Sequence, residues 1–250
     1  MDKVLLPPSY EQCLMSLMRQ FCSMPCRRKK ETAYSLSCPG VGDSYRPGVD
    51  IMVVGRATNG WDGGWSLPEA LAAPDAIVRR AKALSEQQKL SWVGSWWNRQ
   101  CPCGEGQCAH VRYHIRRSAF WQVARELVLQ VHSGAQDNWF EYLAWSNLYK
   151  IAPASTGNPT GREIELQKSA AVDLLSMELE ALRPRLALFM VGMSWFEPFA
   201  DKLLVEPVEQ RGVVEAACSH PCGTRIVVTC RPEGKRRSDF LGALKPHLAA

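Results

Sequence analysis

Residues 51–60 read IMVVGRATNG, a short apolar run that stops at Gly55 and opens into a polar loop. Apolar residues in succession, closed by a glycine after a few positions, are the pattern of a buried parallel strand whose carboxyl end carries a loop. The pattern returns twice: RPRLALFMVG (183–192) ends at Gly192, and TRIVVTCRP (224–232) runs into a basic loop. Between the first and second of these, YLAWS (142–146) leads through Asn147 into LYKIAPASTGNPTG, and a long helix is predicted from Glu163 to about Leu182. Phe120, Val123, Leu127 and Val131 recur at helical spacing and predict a core helix over 116–131, while 75–90 reads as a polar helix. Strands alternating with helices predict a three-layer α/β/α fold around a central, mostly parallel sheet. In such a sheet a ligand sits beyond the carboxyl ends of the strands.

Outward from this frame, residues 9–21 begin at Ser9 and place Leu14, Leu17, Met18 and Phe21 at i, i+3, i+4 and i+7, a short amphipathic packing helix. The basic run Arg27 to Lys30 and the stretch SCPGVGDSYRPG (37–48) read as an extended connector. The chain therefore divides into an N-terminal helix and basic connector, 1–48, and an α/β domain, 49–250, with a Trp- and Cys-rich insertion at 91–112 and no internal repeat. With 250 residues, 46% apolar and 22% charged, it can bury a full core, and the composition excludes disordered, collagen-like and coiled-coil chains. No stretch approaches the roughly 18 uninterrupted apolar residues of a membrane span. The start, MDKVLLPPSYEQ, has no basic–apolar leader pattern, so a cytoplasmic protein with no membrane partner is expected.

An intracellular chain with ten cysteines holds free thiols, buried small residues or metal ligands more readily than a disulfide framework. Cys101, Cys103, Cys108 and His110 lie in one run, CPCGEGQCAH. Four soft ligands so close together suit a tetrahedral structural zinc, although the spacing is not a common zinc spacing. The other reading is a thiol-bearing surface insertion. Cys22 and Cys26, and Cys218, His220 and Cys222, are weaker ligand sets.

Three loops are predicted to converge on one sheet edge. The first carries Gly55, Arg56, Ala57, Thr58, Asn59, Trp61 and Asp62; the second, Asn147 and Lys150; the third, Arg231, Pro232, Lys235, Arg236 and Arg237. The third holds four cations in seven residues, offset by Glu233 alone, so a polyanion can be gripped there. A local surplus of this kind matters more than the formal charge of +5 on the whole chain. Each loop taken singly also suits plain turn chemistry or a solvated surface segment.

In this combination and order, over about residues 50–245, the chain resembles the uracil-DNA glycosylase superfamily. Gly55-Arg56-Ala57-Thr58-Asn59 stands where the family has G-x-(D/N/A)-P-x after a strand. Ser146-Asn147-Leu148-Tyr149-Lys150-Ile151-Ala152-Pro153, then Gly157-Asn158, is similar to T-N-x-x-K-x-x-P followed by G-N. Arg183-Pro184 through Gly192 matches the family's R-P strand, and Cys230-Arg231-Pro232-Glu233 occupies the place of H-P-S.

The resemblance implies that a nucleotide is flipped out of DNA and its base read in a pocket. Asn147 would hydrogen-bond the polar edge of the base, the Gly55 loop would hold water and deoxyribose, and Arg231 would grip phosphate and stabilise the leaving base. Lys150, Pro232, Lys235, Arg236 and Arg237 would lie along the DNA, and Trp61, Tyr113 or Phe120 would stack on the base. Ala57 lacks the carboxylate or amide that positions water in several members, leaving Asn59 and Asp62 as the nearest replacements. Arg231 replaces a titratable histidine with a permanent charge. The cysteines that bind an iron–sulfur cluster in the branch with the closest second motif have no counterparts around Ile151, so no such cluster, and no catalytic cofactor at all, is expected.

The implied function is a monofunctional glycosylase that leaves an abasic site. Phage-defence members remove glucosylated hydroxymethylcytosine, and Trp92, Trp96 and Trp97 are candidates to wall a pocket for so bulky a base, or else to fill core. The other readings are a uracil or damaged-base repair enzyme, a catalytically weak DNA-binding protein of the same fold, and a zinc-stabilised interaction module.

Overall fold

The computed structural model describes residues 6–23, 32–58, 64–98, 115–155, 157–206 and 212–248. The predicted strands form the middle of a six-stranded sheet: β3 (Ile51–Ala57), β4 (Leu143–Tyr149), β6 (Leu186–Met190) and β8 (Arg225–Thr229) run parallel in the order β4-β3-β6-β8. Two antiparallel strands close the edges. β2 (Gly40–Val41), inside the stretch read as a connector, pairs with β4, and β7 (Val214–Ser219) pairs with β8. The order reverses around β3, whose neighbours β4 and β6 follow it on opposite sides. A crevice at the carboxyl ends is the geometric consequence.

Helices cover both faces because successive strand residues point to opposite sides. Met52, Val54, Ala187, Phe189, Ile226 and Val228 pack under α6 (Gly161–Leu182) and α7 (Met193–Leu203). Ile51, Val53, Trp145, Leu188 and Val227 pack under α4 (Ser91–Trp97), α5 (Ala119–Val131) and α8 (Arg237–Leu248). The predicted 116–131 helix is α5, and its Val123, Leu127 and Val128 are buried. Truncating Leu127 to alanine would cost about 2–5 kcal/mol.

Helix α6 starts at a capping box in which Thr160 accepts from the Glu163 N–H while the Glu163 carboxylate accepts from Thr160 N–H. It is unusual in what it buries: Glu163, Gln167, Ser176 and Glu178 lie among its leucines. These polar groups receive the N-terminal segment. α1 (Pro8–Ser23) packs on α6 and on α3 (Pro74–Gln88), and β1 (Tyr34–Leu36) pairs with β5 (Ile151–Pro153). α1, β1, α2 (Leu67–Ala72), α3 and the outer side of α6 share one apolar cluster that includes Tyr10, Phe21, Tyr34, Trp65 and Leu174. The division expected at residue 48 therefore runs through a common core, and the N-terminal segment is part of the α/β body. No helix among the described residues is long and apolar enough to cross a membrane.

Candidate functional site

Register brings the first two loops together. Gly55 on β3 lies directly beside Asn147 on β4, and Ala57 beside Tyr149. Asn147 is 2% exposed, and a methyl group on Gly55 would stand 2.9 Å from Asn147 Oδ1 and 3.8 Å from the Phe120 ring. Only a residue without a side chain at 55 lets the amide lie across β3, with the first turn of α5 bringing Phe120 over the same point. Asn147 Nδ2 is buried and has no hydrogen-bond partner among the described residues. A buried amide donor without a partner forfeits about 1–3 kcal/mol. One placed at the carboxyl end of the sheet, beside an aromatic ring, is arranged for a ligand acceptor.

The next strand residue behaves in the opposite way. Ser146 points to the other face, where its hydroxyl donates to Glu178 Oε2 at 2.7 Å. Lys150 reaches back to the same place: its ammonium donates to Ser146 Oγ at 2.8 Å, to the carbonyl oxygen of Asn147 at 2.8 Å, and pairs with Glu178 Oε1 at 2.7 Å. The Tyr10 hydroxyl completes the set, donating to Glu178 Oε1 at 2.6 Å. Burial, then the Glu178 charge, pushes the Tyr10 phenol well above its usual value, and Cys38 nearby is pushed up to about 12 by the same two causes in the same order. The place expected of Lys150, along the DNA, is corrected here. Its side chain is fully buried with all three protons engaged, so it cannot reach a phosphate.

At the β3/β6 crevice, Arg56 Nε donates to the carbonyl of Val191 at 2.8 Å, and the guanidinium stacks 4.7 Å over Trp195. Burial, with the neighbouring Arg231 charge, lowers its pKa. The amino terminus of α7, which would otherwise welcome an anion, is occupied: Glu215 Oε2 accepts from Met193 N–H at 2.5 Å. Thr58 is buried and shares a hydrogen bond with Ser35 of β1 at 3.0 Å, which ties the first loop to the N-terminal segment. It faces protein.

Arg231 is half exposed and gripped from both sides by Glu233, Nη2 to Oε1 at 2.7 Å and Nε to Oε2 at 3.0 Å. Burial opposes ionisation of Glu233. Hydrogen bonds from Arg231 and from its own backbone outweigh that, joined by the charges of Arg231 and Arg56, and hold its carboxyl below the usual range. The residue expected to offer a free cation thus carries its own counter-ion. Lys235, Arg236 and Arg237 are exposed. Pro232, Lys235 and Arg237 line a cleft of about 50 Å³ with Ala119, Gln122, Val123 and Phe240, next to Phe120 in the chain.

No family model matches this chain, and no curated protein does. The site therefore rests on its own geometry.

Trp92 meets Trp121 and Trp145 edge-on, with ring centres 5.5 and 5.7 Å apart, and Trp97 meets Trp139 at 5.3 Å. Together with Trp96 they pack against the α4–α5–sheet core, so the core-filling reading of these tryptophans is the one realised. Asn59, Trp61, Asp62, Tyr113 and the proposed zinc ligands Cys101, Cys103, Cys108 and His110 lie outside the described residues. Among the described residues no three His, Cys, Asp or Glu side chains cluster closely enough to hold a metal ion. Sequence reasoning missed Tyr10, Glu178, Trp195 and Glu215, and read Glu233 as an offsetting charge without its pairing to Arg231. Nothing marked out Glu178, because α6 also carries Glu163, Glu165, Lys168, Asp173 and Glu180.

Proposed function

We propose that the chain is a uracil-DNA glycosylase-like, three-layer α/β/α enzyme that flips a modified base out of DNA and cleaves its glycosidic bond with water, leaving an abasic site. The observation that carries this is the buried Nδ2 of Asn147, which has no partner among the described residues and lies against Gly55, with Phe120 also beside Gly55, where the sheet order reverses. An amide presents a donor and an acceptor in one plane, which suits the hydrogen-bonding edge of a nucleobase, and an aromatic ring alongside suits its face. Lys235, Arg236 and Arg237 supply exposed positive charge on a segment whose Lys235 and Arg237 line a cleft with Ala119, Gln122 and Val123 of α5, where a phosphate backbone would be held without regard to sequence.

In this reading Asn147 holds the base as negative charge develops on it, Phe120 stacks on the ring, and Arg56 supplies positive potential at the crevice. Ala57 offers no group to orient water, so that role falls to Asn59 or Asp62. The Arg231–Glu233 pair and Ala57 favour a second reading, a DNA-binding protein of this fold without excision activity.

One experiment separates the two. The purified protein is incubated with unmodified, uracil-containing, hydroxymethylated and glucosylated hydroxymethylated DNA, and alkali-labile sites and free base are measured. Release from a modified substrate, lost in Asn147→Ala with DNA affinity retained, is the expected result. DNA binding with no base released from any substrate would establish the second reading.

A further inference from the structure

We infer that Tyr10, Glu178 and Lys150 form a positioning network that sets the orientation of Asn147, and that the N-terminal helix is thereby part of the base-reading site. The inference rests on the proposed reading of Asn147, and it assigns work to residues that cannot touch DNA. Lys150 has three protons and three partners, one of them the carbonyl oxygen of Asn147 itself. Glu178 accepts from Tyr10, Ser146 and Lys150, and Ser146 both donates to Glu178 and accepts from Lys150. No donor in the set is left over, and Tyr10, Lys150, Ser146 and Glu178 are each at most 2% exposed.

A network closed in this way has one geometry, because any rotation of one member strands a buried polar atom on another. Its two ends differ in kind. One end is a backbone atom of the residue whose amide faces the crevice; the other is the hydroxyl of a tyrosine on α1, 168 positions from Glu178 in sequence. Buried ion pairs are poor stabilisers compared with packed apolar side chains, and their best-attested use is to fix one arrangement among several. Tyr34 repeats the device, donating to Glu163 at 2.7 Å, and Gln167 brackets the N–H and C=O of Ile151 at 3.0 and 2.9 Å. The buried polar face of α6 thus clamps the β4–β5 turn from several points, and the N-terminal segment closes the clamp.

The test uses the full chain in two forms, Tyr10→Phe and the paired apolar replacement Lys150→Met with Glu178→Leu. Three quantities are read: the side-chain NH₂ resonances of Asn147 in the free protein, affinity for DNA, and single-turnover base release. The network predicts shifted or broadened Asn147 resonances in both, unchanged DNA affinity within about twofold, and base release slowed about tenfold in Tyr10→Phe and more in the pair, a factor of ten per hydrogen bond being the ordinary scale. Folded variants with Asn147 resonances and release rates like the parent's would overturn it. Should the pair fail to fold, Tyr10→Phe alone decides. Should the parent release no base from any DNA, the glycosylase reading falls, while the Asn147 resonances still accept or reject the network.

Discussion

On the α6 side of β4, Lys150, Ser146, Glu178 and Tyr10 satisfy one another completely; on the α5 side, one residue along, Asn147 Nδ2 has no partner among the described residues. Both regions are buried, and both consist of polar atoms that lost water on folding. The difference is that the first satisfies its polar atoms inside the protein, whereas the second leaves one donor unmet among the described residues. Alternation along a strand makes this arrangement available, since neighbouring residues serve opposite faces. The closed network lies behind Asn147, and the unmet donor lies in front of it.

The largest effect expected from breaking this contrast is on the closed side. Lys150→Met alone leaves Glu178 buried without a counter-ion and should cost about 3–5 kcal/mol in urea unfolding, most of it recovered when Glu178→Leu is added. On the open side the outcome reverses. Asn147→Ala removes a donor that has no partner among the described residues, so stability should change by less than about 1 kcal/mol, while base release falls about 100- to 1,000-fold, the scale for losing one such donor to developing charge. A stability loss in Asn147→Ala as large as that in Lys150→Met would erase the distinction.

Gly55→Ala sharpens the comparison further. Its new methyl would stand 2.9 Å from Asn147 Oδ1, the far end of a side chain that can swing away. Folding should survive with release slowed about tenfold. The smallest effect concerns Glu233→Gln, which frees Arg231. DNA affinity should rise a few-fold and the salt dependence steepen by about one counter-ion. Because the Glu233 carboxyl is held below the ordinary range, the Arg231 pair is present at neutral pH and is lost only as pH falls through that lowered value. The effect of Glu233→Gln should therefore be flat between about pH 5 and 8, where an ordinary carboxylate is already ionised.

Much of the scaffold was legible because its signals are local. IMVV, LALFM and RIVV are apolar runs that need burial on both faces, and each became a parallel strand. α8 was not legible: Gly242 and Pro246 interrupt it, and only Phe240 and Leu244, four apart, are buried. β7 hides in VEAACS, which lacks a β-branched run after Val214. The edge strand β2 hides in a Gly- and Pro-rich stretch that reads as a linker and pairs for two residues only.

That Gly55 and Asn147 would lie together was legible from motif order, and Phe120, which lies beside Gly55, was among the aromatic candidates. Lys150 was misread for a physical reason. A lysine in a loop beside other candidate DNA contacts has every sequence mark of a phosphate ligand, and what buries it is a glutamate 28 residues away and a tyrosine on the first helix. Arg231 was read as a free cation although Glu233 stands two residues on, because a sequence does not tell whether neighbouring charges turn toward each other or toward a partner.

In the proposed function the unmet bond of Asn147 belongs to a flipped base. A crystal structure of the protein with DNA carrying a non-cleavable analogue of the released nucleotide tests it most directly. An extrahelical base is expected beside Phe120, with Asn147 Nδ2 within about 2.7–3.2 Å of an acceptor on its polar edge. A base that stays stacked in the duplex, or an Asn147 amide bonded within the chain itself while DNA is bound, would contradict it.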